Sequence, residues 1–130
     1  MRIGYYDGGE PRRLTLRDPA IADAALPGRP EPYRRLDTAV LEALVLQQTL
    51  GMTEDDISHL HGLGYARTAE EAKARVDGGE ADAAFFMAPT PVERVRDVAA
   101  VGENMPPKST YFYPKVLTGM VFNPLEERWP

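Results

Sequence analysis

Cysteine is absent from this chain of 130 residues. The absence excludes a disulfide framework, a thiolate nucleophile and a cysteine-ligated metal, and it is typical of proteins of the reducing cytoplasm. Long hydrophobic runs are missing too: no apolar stretch approaches the roughly 20 residues of a membrane-spanning helix, and the N-terminus lacks the apolar core of a signal peptide. We therefore expect a cytoplasmic protein with no membrane partner.

Basic residues are fewer than acidic residues: 15 Lys and Arg stand against 20 Asp and Glu, which gives a formal net charge of -5 at pH 7. An acidic chain lacks the basic face that recruits phosphates, and no helix-turn-helix pattern is present, so nucleic acid is not an expected partner. The sequence also has no glycine-rich phosphate loop. A local basic pocket remains compatible with all of these absences.

The length and composition predict one domain over residues 1–130, because 43% hydrophobic and 27% charged residues are close to globular averages. Strands are predicted at residues 2–6, 13–17, 57–60, 83–87 and 118–122. Helices are predicted at residues 37–50, 68–77 and 90–101, each followed by a glycine. This order predicts an α+β, α/β-like domain in which a mixed sheet of about five strands carries three helices.

Local stop and start signals support these boundaries. Asp37 is the predicted N-cap of the first helix, and Thr68 and Thr90 each begin a capping box with a glutamate three residues later. Five prolines and glycines between residues 18 and 33 predict a surface connection.

Residues 104–115, with the sequence NMPPKSTYFYPK, follow neither a helical nor a strand period. We call them the proline–lysine segment. Its three prolines each fix a φ angle and remove a backbone donor, so the chain here is stiff. An ammonium, two hydroxyls and backbone N–H groups are the parts that hold a phosphate or carboxylate. The predicted anion-binding residues are Lys108, Ser109, Thr110 and Lys115, with Tyr111 and Tyr113 against the ligand body. The alternative is a structural brace in which Phe112 enters the core.

Other polar residues give weaker signals. His59 and His61 are two residues apart and could share one face of a strand, but no third ligand follows from the pattern, so we predict surface histidines and no metal or other cofactor. Ser58 is a conceivable nucleophile without a visible base. Whether the protein is an enzyme stays open.

The proline–lysine segment, followed by Thr-Gly-Met-Val-Phe at residues 118–122, resembles the C-terminal signature of the family called domain of unknown function 1015. The sequence LDTAVL at residues 36–41 with Gly51, and Gly78-Gly79-Glu80 leading to Phe85, Phe86 and Pro89, are similar to two further landmarks of that family. The resemblance covers about residues 33 to 125. Family members are considerably longer, so it implies that this chain is the C-terminal part of a longer polypeptide.

Two functional hypotheses follow. In the first, the domain contributes to binding a small anionic or phosphorylated metabolite through the proline–lysine segment. In the second, it is a non-catalytic interaction or scaffold module that docks on the N-terminal region of the longer protein or on a second subunit, and its aromatic residues bury apolar area there. The resemblance itself transfers no reaction, and Tyr113 stands where some members have a glutamate.

Overall fold

The computed structural model describes residues 2–107, 109 and 110. Three strands are present in this part of the chain: β1 (Arg2–Tyr6), β2 (Arg12–Thr15) and β3 (Ala84–Met87). The helices are α1 (Pro19–Ala25), α2 (Glu31–Arg34), α3 (Asp37–Val40, continued as a π-helix over Leu41–Thr49), α4 (Glu54–His59), α5 (Ala69–Asp77) and α6 (Val92–Ala100). The predicted mixture of α and β structure is therefore confirmed, and none of the described helices has the length and apolar character to cross a membrane.

The strands form one antiparallel sheet in the order β2-β1-β3. Ile3, at the centre of the sheet, is opposite Leu14 on one side and Met87 on the other. Gly8 turns the hairpin between β1 and β2 with a φ of +89°, as its place in the sequence predicts. At Gly4 an added Cβ would lie 3.1 Å from the Cβ of Phe86, so the glycine makes room for that ring.

Two predictions about the sheet are wrong. It is antiparallel and has three strands in the described part of the chain, not a mixed arrangement of about five. Residues 57–60 were expected to form a strand, but they belong to α4 and its C-terminal end. A complete capping box explains the helix: Thr53 accepts a hydrogen bond from the backbone of Asp56, whose carboxylate accepts one from the backbone of Thr53. The strand predicted at residues 118–122 lies outside the described residues.

The three predicted helices are present with small shifts at their starts. Leu36 is the N-cap of α3 and Asp37 is its first residue, while Gly51 stops the helix with a φ of +72°. Thr68 caps α5 by accepting a hydrogen bond from the Glu71 N–H at 3.1 Å. Thr90 does not cap α6, whose N-cap is Pro91 and has no side-chain hydrogen bond. The predicted number of helices is wrong: the described residues form six helices and not three, because α1 and α2 occupy much of the proline-rich region 18–33, with α2 ending at Arg34, and α4 replaces a predicted strand.

Two apolar clusters hold these elements together. The first joins α2, α3 and α6; it consists of Tyr33, Leu36, Ala39 and Val98, with Leu26 and Met105 packed against it. The second joins the sheet to α5 through Tyr6, Val76 and Ala84. Met105 packs against the first cluster, so the core of the helical part also supports the start of the proline–lysine segment.

Candidate functional site

The described start of the proline–lysine segment is anchored to the fold. Met105 packs against the first apolar cluster and Pro106 is buried. The Ser109 hydroxyl donates a hydrogen bond to the Pro106 carbonyl at 2.6 Å, which closes a tight turn. The Thr90 hydroxyl donates to the Ser109 carbonyl at 3.2 Å. The segment is therefore tied at two points to the residues just before and within α6.

Among the predicted anion-binding residues, the structure describes two. Ser109 is half-buried, with its hydroxyl proton committed to the Pro106 carbonyl, and Thr110 is exposed. The hydroxyl oxygen of Ser109 can still accept a hydrogen bond, but a ligand would have to replace the turn contact to receive one. The other predicted residues, Lys108, Tyr111, Tyr113 and Lys115, lie outside the described residues.

The beginning of α6 adds a favourable field near this turn. Its first backbone N–H groups donate no hydrogen bond to the side chain of the N-cap residue Pro91, and Thr90 precedes that residue directly. Uncapped N–H groups and the helix dipole give such an end a partial positive charge. Glu93 in the first turn opposes an anion there. The net field at this end is therefore smaller than that of a helix start without an acid.

A separate cleft of about 170 Å³ opens between α2, the π-helical part of α3 and the start of α4. We call it the Glu42 cleft. Its polar lining consists of Arg29, Tyr33, Glu42, Gln47 and Glu54. Two of these residues come from the π-helix, where the Thr49 hydroxyl donates to the Leu44 carbonyl five residues earlier at 2.7 Å. Irregular helical turns of this kind are frequent at functional sites.

Burial and charge act together on the groups of this cleft. Burial raises the pKa of Glu42 above its ordinary value, the Glu54 charge raises it further, and Arg29 opposes both effects. Burial also raises the pKa of Tyr33. The Arg29 guanidinium lies 4.8 Å from the centre of the Tyr33 ring and 3.2 Å from a carboxylate oxygen of Glu103. Arg29 is therefore already paired by groups at the edge of the cleft.

Sequence reasoning missed the Glu42 cleft. Its polar residues are spread over 26 positions, from Arg29 to Glu54, and no motif spacing connects them. The available signal was Glu42 itself, an acid placed between Leu41 and Ala43 in an otherwise apolar stretch. A charged residue at such a position must find a partner or a cavity.

The strongest polar cluster elsewhere is structural. The Tyr6 hydroxyl donates to an Asp77 carboxylate oxygen at 2.5 Å and accepts from the Lys73 ammonium at 3.0 Å. Lys73 also donates to Asp77 at 2.6 Å, and these hydrogen bonds to Asp77 and Tyr6 raise the pKa of Lys73 to about 12. The lysine is therefore fully protonated at neutral pH and cannot serve as a base. Its contacts join β1 to α5.

The residues around Ser58 do not form a proton relay. Ser58 Oγ lies 3.1 Å from His59 Nδ1, and an Asp55 carboxylate oxygen lies 3.1 Å from the same nitrogen. A relay needs the serine and the acid on opposite ring nitrogens. The rings of His59 and His61 stack at 5.9 Å with both side chains largely exposed. Within the residues that the structure covers, no group of three or more His, Cys, Asp or Glu side chains could hold a metal ion.

Comparison with known proteins adds no relative. The chain matches no family model, no curated protein and no solved structure.

Proposed function

We propose that this chain is the C-terminal part of a longer cytoplasmic protein related to the domain of unknown function 1015 family, and that it contributes to binding a small anionic or phosphorylated metabolite. In this proposal Lys108, Ser109, Thr110 and Lys115 hold the anionic group, and Tyr111 or Tyr113 contacts the rest of the ligand. If the longer protein is an enzyme, the segment stabilises negative charge and the acid–base groups come from elsewhere.

The observation that carries the proposal is the anchoring of Met105, Pro106 and Ser109. Met105 packs against the first apolar cluster and Pro106 is buried. The Thr90 hydroxyl donates a hydrogen bond to the Ser109 carbonyl. Polar side chains on a stiff loop that a rigid scaffold positions are a common form of binding site, because little conformational entropy is lost when the ligand binds. The uncapped start of α6, which Thr90 links to Ser109, supports the proposal by its partial positive charge, with Glu93 as the opposing charge.

The arginine pair just before α3, Arg34 and Arg35, is a weaker candidate for holding an anion. Arg35 donates two hydrogen bonds to Asp23, at 2.6 and 3.2 Å, and the Nε of Arg34 lies 3.0 Å from the same carboxylate. Asp23 therefore already neutralises part of this positive charge. We therefore propose the lysines of the proline–lysine segment, and not this arginine pair, as the groups that hold the anion.

A thermal-shift screen of phosphorylated metabolites against the full chain tests the proposal, with inorganic phosphate as the simplest probe. A binding anion raises the melting temperature in proportion to the logarithm of its concentration. Lys108→Ala should abolish this rise. Arg96→Ala is the matched control, because it removes one positive charge from an exposed position on α6 whose contact is with Asp97.

Two results would overturn the proposal: equal stabilisation of the native chain and Lys108→Ala, or no stabilisation by any anion tested on both this chain and the longer protein. In the second case the scaffold hypothesis makes a distinct expectation. Tyr111→Ala and Tyr113→Ala would weaken association with the N-terminal region or with a second copy, which sedimentation measures directly.

A further inference from the structure

The Glu42 cleft carries more negative charge than its surroundings balance. Glu42 and Glu54 line it together, and neither has a Lys or Arg nitrogen within 4.0 Å among the described residues. Arg29 is the cation of this lining, and its guanidinium is paired with Glu103 at 3.2 Å. A cationic ligand in the cleft would therefore lie near two carboxylates, while the nearby Arg29 is already paired with Glu103.

Tyr33 supplies an independent polar group. Its side chain belongs to the core, with 9% of the residue exposed, yet it also lines the cleft. The hydroxyl is close enough to Glu42, Arg29 and Glu103 to feel their charges, and it has no hydrogen-bond partner among the residues described. The Tyr33 hydroxyl oxygen is not among the fully buried atoms that lack a partner, so it is open to solvent or to a ligand. The hydroxyl thus presents an unused donor and acceptor to the cleft.

The size of the cleft limits the ligand. A volume of about 170 Å³ is close to the roughly 150 Å³ cavity that accommodates one benzene molecule. Half a dozen non-hydrogen atoms fill such a space. The Gln47 amide, half-buried on the π-helix, can add one further donor or acceptor to such a molecule.

We propose that the Glu42 cleft is a binding site for a small organic ammonium ion. The ammonium donates hydrogen bonds to the carboxylates of Glu42 and Glu54 and to the hydroxyl oxygen of Tyr33, and a short carbon chain lies against Leu26 at the apolar side. This site takes a ligand of opposite charge to the one proposed for the proline–lysine segment, and it does not depend on that segment's function.

A nuclear magnetic resonance titration of the full chain tests the site with n-propylammonium chloride as the probe and n-propanol as its neutral match, at constant ionic strength. Propylammonium should shift the backbone amides of residues lining the cleft in a saturable manner. Glu42→Gln removes one charge without changing shape and should weaken binding about tenfold, since a charge-assisted hydrogen bond is lost. Tyr33→Phe should weaken it about threefold.

Glu93→Gln is the control, because it removes the same charge from an exposed position on α6 outside the cleft. Its affinity for propylammonium should stay within about twofold of that of the native chain. Glu54→Gln, at an exposed position, decides the matter if Glu42→Gln does not fold. The proposal fails if n-propanol shifts the same amides with equal affinity. It also fails if the folded cleft variants bind propylammonium as tightly as the native chain does.

Discussion

Replacing Val98 by alanine should destabilise the domain through loss of packing beneath the proline–lysine segment. Val98 is fully buried in the first apolar cluster, where it contacts the residues against which Met105 also packs. The side chain loses two methyl groups, which are worth about 0.8 kcal/mol each in transfer free energy. A residual cavity of roughly 50 Å³ would add up to about 1.2 kcal/mol if the surroundings do not relax.

The higher helix propensity of alanine offsets part of this loss, by up to about 0.7 kcal/mol. The free energy of unfolding should therefore fall by about 1 to 3 kcal/mol, and the melting temperature by roughly 3 to 14 °C. Urea unfolding followed by circular dichroism measures the change, and the slope with urea should stay the same because the folded surface is unaltered.

Val92→Ala is the matched control, since Val92 begins the same helix with 66% of its surface exposed. Its effect should lie within about 0.5 kcal/mol of zero. If the two variants unfold at the same urea concentration, the first apolar cluster does not hold α6 in the way described. Faster amide exchange near Met105 in Val98→Ala alone would show that the cluster also anchors the segment.

Three further perturbations follow from single residues. Leu60→Gly should stabilise the domain by about 0.5 to 1 kcal/mol, because Leu60 has a φ of 60°, which glycine adopts without strain. Leu50 has an ordinary φ of -91°, so Leu50→Gly should destabilise the domain by a similar amount. Urea unfolding measures both changes. Thr53→Ala should cost about 1 kcal/mol through loss of the α4 cap, and Thr53→Ser should restore most of it. The hydrogen bond from Arg35 holds the pKa of Asp23 below its ordinary 3.8. Because the pKa is lower in the folded protein, ionised Asp23 stabilises the fold above the ordinary pKa, and this stabilisation is lost as the pH falls through the folded pKa. Asp23→Asn should therefore show a smaller decline in melting temperature below about pH 4 than the native chain does.

The parts of the fold that the sequence predicts well are those with local chemical signals. Gly51 stops α3 because glycine adopts a positive φ without strain. Thr68 caps α5 as its spacing to Glu71 predicts. The hairpin also follows from a glycine-containing turn between two short strands. In each case a few consecutive residues contain the information.

The wrong strand prediction at residues 57–60 also concerns a local signal, which lay outside the apolar run itself. Ile57 and Leu60 are apolar positions in a run too short for periodicity to separate strand from helix. The deciding signal lay just before this run, in the Thr53 and Asp56 side chains that cap α4 reciprocally. The Glu42 cleft could not be predicted in this way, because it depends on how α2, α3 and α4 pack against one another.

The two proposed sites share one supporting element, and this limits how they can be tested. Tyr33 packs in the cluster that also holds Met105, while its ring carries the Arg29 guanidinium at the edge of the cleft. Glu103, which pairs with Arg29, directly precedes the proline–lysine segment. A substitution in the cluster would therefore disturb both sites through packing alone. Substitutions that leave the packing of this cluster intact, such as Glu42→Gln at the cleft, separate ligand binding from loss of the common support.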